Sequence, residues 1–228
     1  MSYDHPEFAG SRVHAKVLTP KDAATLILVR RDGPSPRILM GQRHGGHAFM
    51  PNKYVFPGGR LDAADSRVKP VRDLEAATLT KLMARMRGRP SASRARGLAH
   101  AAVRETFEEA GLLYGRQHIE AAPDFSGLVF FMRAITPPGR TRRFDSRFFV
   151  ADAEKISNLD APHDVGVEEQ LTLSWFTVAE TRDLDLPLIT VDVLGRLKPW
   201  LDRGNLPGPD CPASFQYYRG KTWVEDSI

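Results

Sequence analysis

The chain reads as a mixed protein, α/β or α+β, and three observations carry that expectation. Short apolar runs rich in branched residues, spaced as strands are, occur in both halves of its 228 residues. Two stretches, 73–87 and 97–110, have the spacing and flanks of helices. Strand-like and helix-like segments are interspersed rather than sorted into blocks.

Taken in order, residues 1–10 read as a loose lead-in and 12–18 as a strand. A stronger strand is expected over 23–30, then a turn at Asp32-Gly33-Pro34-Ser35-Pro36 and a strand over 37–42, together a hairpin. Gly45-Gly46-His47 reads as a loop, and Pro57-Gly58-Gly59 as a tight turn after Tyr54-Val55-Phe56. Over 73–87, Leu74, Thr78, Leu82 and Met86 recur at steps of four, with Leu79 and Met83 beside them, which makes an amphipathic helix. Gly88-Arg89-Pro90-Ser91 breaks it. A second helix, 97–110, is expected to end at a left-handed Gly111. Strands follow over 127–135, 145–151 and 171–176. Thr177 and Glu180 have the spacing of a capping box. Residues 188–201 read as a helix that Pro199 should end or kink. From Gly204 the chain is rich in Pro and Gly and then aromatic, with Phe215, Tyr217, Tyr218 and Trp223 suited to core or dimer packing ahead of stacking on a base.

Composition narrows the function classes. A hydrophobic content of 42% supports an ordinary core. The formal charge of +4 is too small to argue for a nucleic-acid partner and is compatible with an anionic small substrate. The single cysteine, Cys211, excludes an internal disulfide framework and a cysteine-rich zinc site. No apolar run is long enough to span a bilayer, and the first residues lack the apolar core of a secretory signal. A cytoplasmic location with no membrane partner is the expectation. Walker A, G-x-G-x-x-G and G-x-S-x-G patterns are absent from the sequence, and His44 and His47 have no further ligands nearby in sequence to hold zinc.

The informative segment is Arg104-Glu105-Thr106-Phe107-Glu108-Glu109-Ala110-Gly111-Leu112. On a helix Glu105, Glu108 and Glu109 stand at i, i+3 and i+4 and share one face, while Ala99, Val103, Phe107 and Ala110 fall on the other. Three crowded carboxylates repel one another unless cations lie between them, and hard divalent ions take oxygen ligands. Arg104 is placed to steady the group. The alternative for an arbitrary E-x-x-E-E is a solvated acidic face. At ordinary residue frequencies, however, Arg104, Glu105, Glu108, Glu109 and Gly111 coincide on the order of once in a million windows.

This segment resembles the second half of the Nudix box, G-x5-E-x7-R-E-U-x-E-E-x-G-U, where U is a bulky apolar residue, here with Thr106 and Leu112 at the U positions. The opening glycine is matched by Gly59 in Phe56-Pro57-Gly58-Gly59. Gly59 and Arg104 lie 45 positions apart, against 14 in the box, so 31 residues are inserted. Counted back from Arg104, the first box glutamate falls on Arg96 and is missing. An interrupted box resembles the branch of the superfamily that holds the peroxisomal coenzyme A diphosphatases and their bacterial relatives. The coenzyme A signature L-L-T-x-R-[SA]-x3-R-x3-G-x3-[FY]-P-G-G is partly met, by Leu39, Arg43, Phe56, Pro57, Gly58 and Gly59. Met40, Gly41, His44, Ala48 and Asn52 depart from it. The stretch from Phe49 to Gly59 and Arg142-Arg143-Phe144-Asp145-Ser146-Arg147-Phe148-Phe149 also look like that branch.

The resemblance implies a Nudix-type α/β/α sandwich with a mixed sheet, and one domain over 1–228 with an insertion at about 61–96 and an extension at about 184–228. It implies a metal-dependent hydrolase of a nucleoside diphosphate linked to X, above all coenzyme A or acyl-coenzyme A. Mg2+ or Mn2+ would be held by Glu105, Glu108, Glu109 and the Gly59 carbonyl. The general base is Glu108, Glu168 or Glu169. Arg43, Arg142 and Arg143 are candidates for phosphate contact. Arg85, Arg87, Arg89, Arg94 and Arg96 form a basic segment in the insertion, either a solvated face or a contact for an extra phosphate. Two alternatives stay open: hydrolysis of ADP-ribose, nucleotide sugars or dinucleotides, and a non-catalytic sensor or interaction module. A homodimer is also left open.

Overall fold

A computed structural model describes residues 18–43, 52–160, 171–220 and 222–228. The expected strand over 12–18 and the loop at 45–47 fall largely or wholly outside them. The architecture is a mixed sheet with helices on both faces. Its centre is β1 (Lys21–Arg30), where Leu26, Ile27, Leu28 and Val29 are all fully buried. Both faces of such a strand must be covered, which explains a continuous apolar run where a half-exposed strand would alternate. Ala24, Leu26 and Leu28 face one core; Ile27 and Val29 face the other.

Along one edge, β1 pairs antiparallel with β2 (Arg37–Gln42), completing the expected hairpin. Along the other it runs parallel to β6 (Phe144–Asp152). Beyond β6 lies β5 (Val129–Ile135), antiparallel to it. β7 (Thr172–Thr177) pairs along the edge of β2 away from β1, and β3 (Tyr54–Val55) pairs with Gly41 and Gln42 on the opposite edge, beyond the end of the β1 pairing.

Pro57-Gly58-Gly59 departs from the tight turn expected. Gly58–Arg60 forms a short strand, β4, paired with residues 23–25 of β1. The pairing needs glycine, because a Cβ on Gly58 would lie 2.6 Å from the Ala24 carbonyl oxygen. The C-terminal stretch is a second departure. Ser214–Arg219 (β8) and Thr222–Ser227 (β9) form a hairpin, and β8 joins the sheet parallel to β5. Phe215, Tyr217 and Tyr218 are thus residues of β8, and Trp223 pairs with Tyr218 from β9.

Three α-helices cover the sheet among the described residues. α1 (Ala76–Met83) is shorter than the span 73–87, and Arg85 follows it in the left-handed region with φ 55°. α2 (Ala92–Ala110) starts five residues before the expected 97, because the Ser91 side chain accepts a hydrogen bond from the Arg94 N–H. Both pack on the Ala24 face, where Ala95, Ala99, Ala101 and Ala102 allow close approach. α3 (Leu188–Leu201) covers the opposite face through Val193, Leu194, Leu197 and Leu201. Pro199 sits in its last turn, and the helix closes two residues later. The capping box forms: the Thr177 N–H donates to Glu180 Oε2 at 2.7 Å, and the Glu180 N–H to Thr177 Oγ1 at 3.3 Å. Among the described residues no helix is long and apolar enough to cross a membrane.

Phe149 lies fully buried in β6, its ring 6.2 Å from that of Phe130. Phe149→Ala is expected to lower stability by about 3–5 kcal/mol, read from the denaturant midpoint.

Candidate active site

Three features of the fold converge on the C-terminal half of α2. The helix ends as the sequence requires: Gly111 takes φ 66°, and its N–H bonds to Phe107 O at 2.7 Å. Ala99, Val103 and Ala110 are buried against the sheet, and Phe107 is half-buried. Glu105, Glu108 and Glu109 are left on the face turned from the core. β4 then runs alongside. The Gly58 N–H donates to Glu109 Oε2 at 2.9 Å. A Cβ on Gly59 would come within 2.3 Å of the Glu105 carboxylate, so any side chain there would displace that carboxylate.

Arg104 binds the group together. Its Nη1 donates to Glu105 Oε1 at 2.9 Å and to Glu108 Oε2 at 2.8 Å. Its Nε and Nη2 donate to the two oxygens of Asp65, at 3.0 and 3.1 Å, and Nη2 also reaches Arg60 O at 3.0 Å. Asp65 is almost fully buried and also meets His100 Nδ1 at 2.8 Å.

This geometry corrects the alignment of the interrupted box. Counted back from Arg104, the first acidic position fell on Arg96. Counted forward from Gly59, it falls on Asp65, which is the residue that grips Arg104. The insertion therefore lies after the acidic position, and a shorter carboxylate fills it. Arg96 pairs instead with Asp73, within the insertion and its junction with α2. The signal for Asp65 was present in the G-x5-E spacing, but counting across the insertion hid it. His100 had no signal of its own.

Burial resists ionisation of Asp65, yet hydrogen bonds from His100 and Arg104 outweigh it and hold its pKa at about 2. Burial raises the Glu105 pKa, and Arg104 opposes that rise. Burial also works against the charge on Arg104, but Asp65 and Glu105 prevail and its pKa lies above the ordinary value.

An all-oxygen donor set of three carboxylates and a backbone carbonyl suits a hard divalent cation in kind. Among the described residues, no three acidic, His or Cys side chains converge as metal ligands. Glu105 and Glu108 are turned to Arg104 Nη1 and Glu109 to the Gly58 N–H, so ligation requires the first two to exchange that partner.

The other candidates are dispersed. Arg43 directly follows β2, and its buried Nε has no hydrogen-bond partner among the described residues. Its backbone pairs with Asn52 and Lys53. Asn52 stands where the coenzyme A signature has glycine, and it adopts φ 62°. Asparagine tolerates that left-handed conformation better than other residues with a Cβ, so the departure at Asn52 keeps a backbone shape that glycine favours. Arg142 is exposed before β6. Arg143 spends donors on backbone carbonyls, Thr136 O at 3.0 Å and Leu18 O at 2.7 Å. Glu168, Glu169, His44, His47 and Ala48 lie outside the described residues.

No family model matches the chain. Over 120 residues it is 35% identical to acyl-coenzyme A diphosphatase NUDT19 of Gallus gallus, a match that covers 41% of this chain and only 32% of that relative's length. Its fold is that of a NUDIX hydrolase from Alicyclobacillus acidocaldarius, with a TM-score of 0.57 and 22% identity over 78% of this chain and 90% of that one. The NUDIX domain of Shewanella oneidensis NrtR, complexed with ADP ribose, is similar at a TM-score of 0.49 and 9% identity, over 80% of this chain and 88% of that one. The likeness to the Alicyclobacillus protein is one of fold, and the chain spans about a third of the length of the curated relative it matches.

Asp65 links folding to pH in a stated direction. Its folded pKa of about 2 lies below the ordinary 3.8, so its contribution is fully present above about pH 4 and is lost as pH falls toward 2. Asp65→Asn is expected to be less stable at pH 7 and to show a smaller fall in Tm between pH 4 and 2, measured by thermal unfolding across that range.

Proposed function

We propose that this chain is a Nudix hydrolase, a metal-dependent pyrophosphohydrolase whose substrate is coenzyme A or an acyl-coenzyme A. The observation that carries the proposal is the α2 turn bearing Glu105, Glu108 and Glu109 against the Gly58–Gly59 backbone, with Arg104 fixed by Asp65. A non-catalytic module has no need of that arrangement.

Glu105, Glu108, Glu109 and the Gly59 carbonyl would hold Mg2+ or Mn2+, which supplies charge neutralisation at the pyrophosphate and lowers the pKa of an attacking water. The chain's own residues do the rest. The Gly58 N–H fixes one oxygen of Glu109 and so orients that carboxylate beside β4. The buried Arg43 Nε, which has no acceptor among the described residues, is suited to a phosphate oxygen. Glu108, Glu168 or Glu169 accepts the proton of the water. Arg142, exposed, is a further candidate for the substrate's phosphates; Arg143 is the weaker one, since its donors already hold carbonyls.

Support for the coenzyme A reading comes from the likeness to an acyl-coenzyme A diphosphatase and from the left-handed Asn52 at the signature glycine. Ala48, where the signature has arginine, favours the second reading, hydrolysis of ADP-ribose or another nucleotide.

Purified protein with coenzyme A and Mg2+ is expected to give 3′,5′-ADP and 4′-phosphopantetheine by mass, and nothing in EDTA. Glu108→Gln and Glu109→Gln are expected to lower kcat by roughly 10²–10⁴ and to weaken Mg2+ binding. Unchanged Mg2+ affinity in both variants would remove the cluster as the metal site. Metal-dependent cleavage of ADP-ribose but not coenzyme A would leave the reaction class and discard the substrate.

A further inference from the structure

A second group of charges stands apart from the α2 carboxylates. It lines a cleft of 320 Å³ between the end of the insertion, the start of α2 and β8. Arg94 lies eleven residues before Glu105 on the same helix, about 16 Å along its axis. Arg85, Arg87, Arg94 and Arg133 line the cleft, against two acidic residues, Asp22 and Asp145. Phe215 and Tyr217 form an aromatic wall, their rings stacked at 4.7 Å. The Arg85 guanidinium lies 4.8 Å from the Phe215 ring centre, and that of Arg133 lies 4.2 Å from it.

The carboxylates do not balance the arginines. Asp22 is shared by Arg94 and Arg147, and Asp145 by Arg133 and Arg147. Three guanidinium groups therefore draw on two carboxylates, and the buried Arg147 Nη2 beneath them has no hydrogen-bond partner among the described residues. Asp226 and the Tyr217 hydroxyl hold Arg85 from the side. Arg87 is exposed at the mouth, and its side chain makes no ion pair or hydrogen bond among the described residues.

The backbone of this rim is clamped rather than loose. Arg133 Nη1 donates to Arg85 O at 2.9 Å, and Arg94 Nη1 to Arg87 O at 2.7 Å. The clamp holds Arg85 in the left-handed region, which a residue with a Cβ rarely adopts. A purely structural role accounts for the buried pairs. It does not account for Arg87, for the strained rim, or for a lining two positive charges in excess.

We propose that this cleft is a binding site for a phosphate monoester, distinct from the carboxylate site on α2. The lining excess of two matches a phosphate dianion, and guanidinium forks suit its several oxygens. Arg87 and Arg85 contact the phosphoryl group, and the Asp-shared arginines beneath supply a fixed positive field. The phosphate belongs either to a far end of the substrate or to a separate phosphorylated effector.

The test is titration of the intact protein with inorganic phosphate and with 3′,5′-ADP, followed by calorimetry. Arg87→Gln, at an exposed position, is expected to weaken phosphate binding about tenfold, while Arg43→Gln and Glu109→Gln leave that binding unchanged. Saturable phosphate binding that survives both Arg87→Gln and Arg85→Gln but is lost in Arg43→Gln would overturn the proposal, as would no saturable binding to wild type at millimolar phosphate. This readout needs no turnover, so it stands or falls separately from the hydrolase reading. The source follows from kinetics of Arg87→Gln. A raised KM for coenzyme A, with kcat and the KM for dephospho-coenzyme A unchanged, identifies the substrate's own phosphate. Unchanged KM for both, with phosphate binding lost, identifies an effector.

Discussion

Three carboxylates on one turn of one helix are the constraint around which the rest is arranged. Like charges at i and i+4 cost an exposed helix about 0.2–0.5 kcal/mol per pair, and more where Glu105 is partly buried. The fold answers in two ways. Arg104 supplies a cation on the same helix, touching Glu105 and Glu108 at once. The opposite face of α2 buries small residues, Ala95, Ala99, Ala101 and Ala102, so that the helix sits close on the sheet. Packing of that face, rather than helix propensity, keeps an electrostatically strained turn in place.

The insertion interrupts the box in sequence without interrupting it in space. Asp65 and Arg104 are separated by 38 residues instead of seven, yet their side chains meet at 3.0 Å. Closing the longer loop costs only about 1.5 kcal/mol more, because the cost grows with the logarithm of length. Burying Leu74, Leu82 and Met86 of the inserted segment against α2 and the sheet is worth about 1.5–3 kcal/mol per side chain. The core contact outweighs the closure term, so the insertion brings its own anchor. Ser66 adds a fixed point: Gly97 of α2 lies so close that a Cβ there would fall 2.6 Å from Ser66 Oγ.

What could be read from the sequence follows from how local each signal is. β2 and α3 appear with the expected bounds because each carries its pattern within itself, branched apolar residues in one and a helical stripe in the other. Glu105, Glu108 and Glu109 were legible for the same reason, since one helix fixes their spacing. The β8–β9 hairpin was not. Phe215 and Tyr217 share one face, but the adjacent Tyr218 breaks the alternation, and β8 joins the sheet only because β5 offers an edge, a partner about eighty residues away. β4 likewise exists through β1, and three residues around two glycines carry no strand signal alone. Asp65 failed for a third reason. Its role depends on where an insertion begins, which spacing counted from one end cannot reveal.

Arg104 also sets how the carboxylates can change partners. Its Nε and Nη2 are committed to Asp65 and to the Arg60 carbonyl. Only Nη1 touches Glu105 and Glu108, and it serves both. The two glutamates can therefore turn from one nitrogen to an incoming cation while Arg104 stays anchored. Glu109 is oriented separately, by the Gly58 N–H on its Oε2. The low pKa of Asp65 is part of this arrangement: a neutral Asp65 would loosen its grip on Nε and Nη2, and the guanidinium would follow its remaining partners. Charge at the buried acidic position of the box, just before the insertion, thus determines whether Arg104 keeps its anchor or follows its remaining partners.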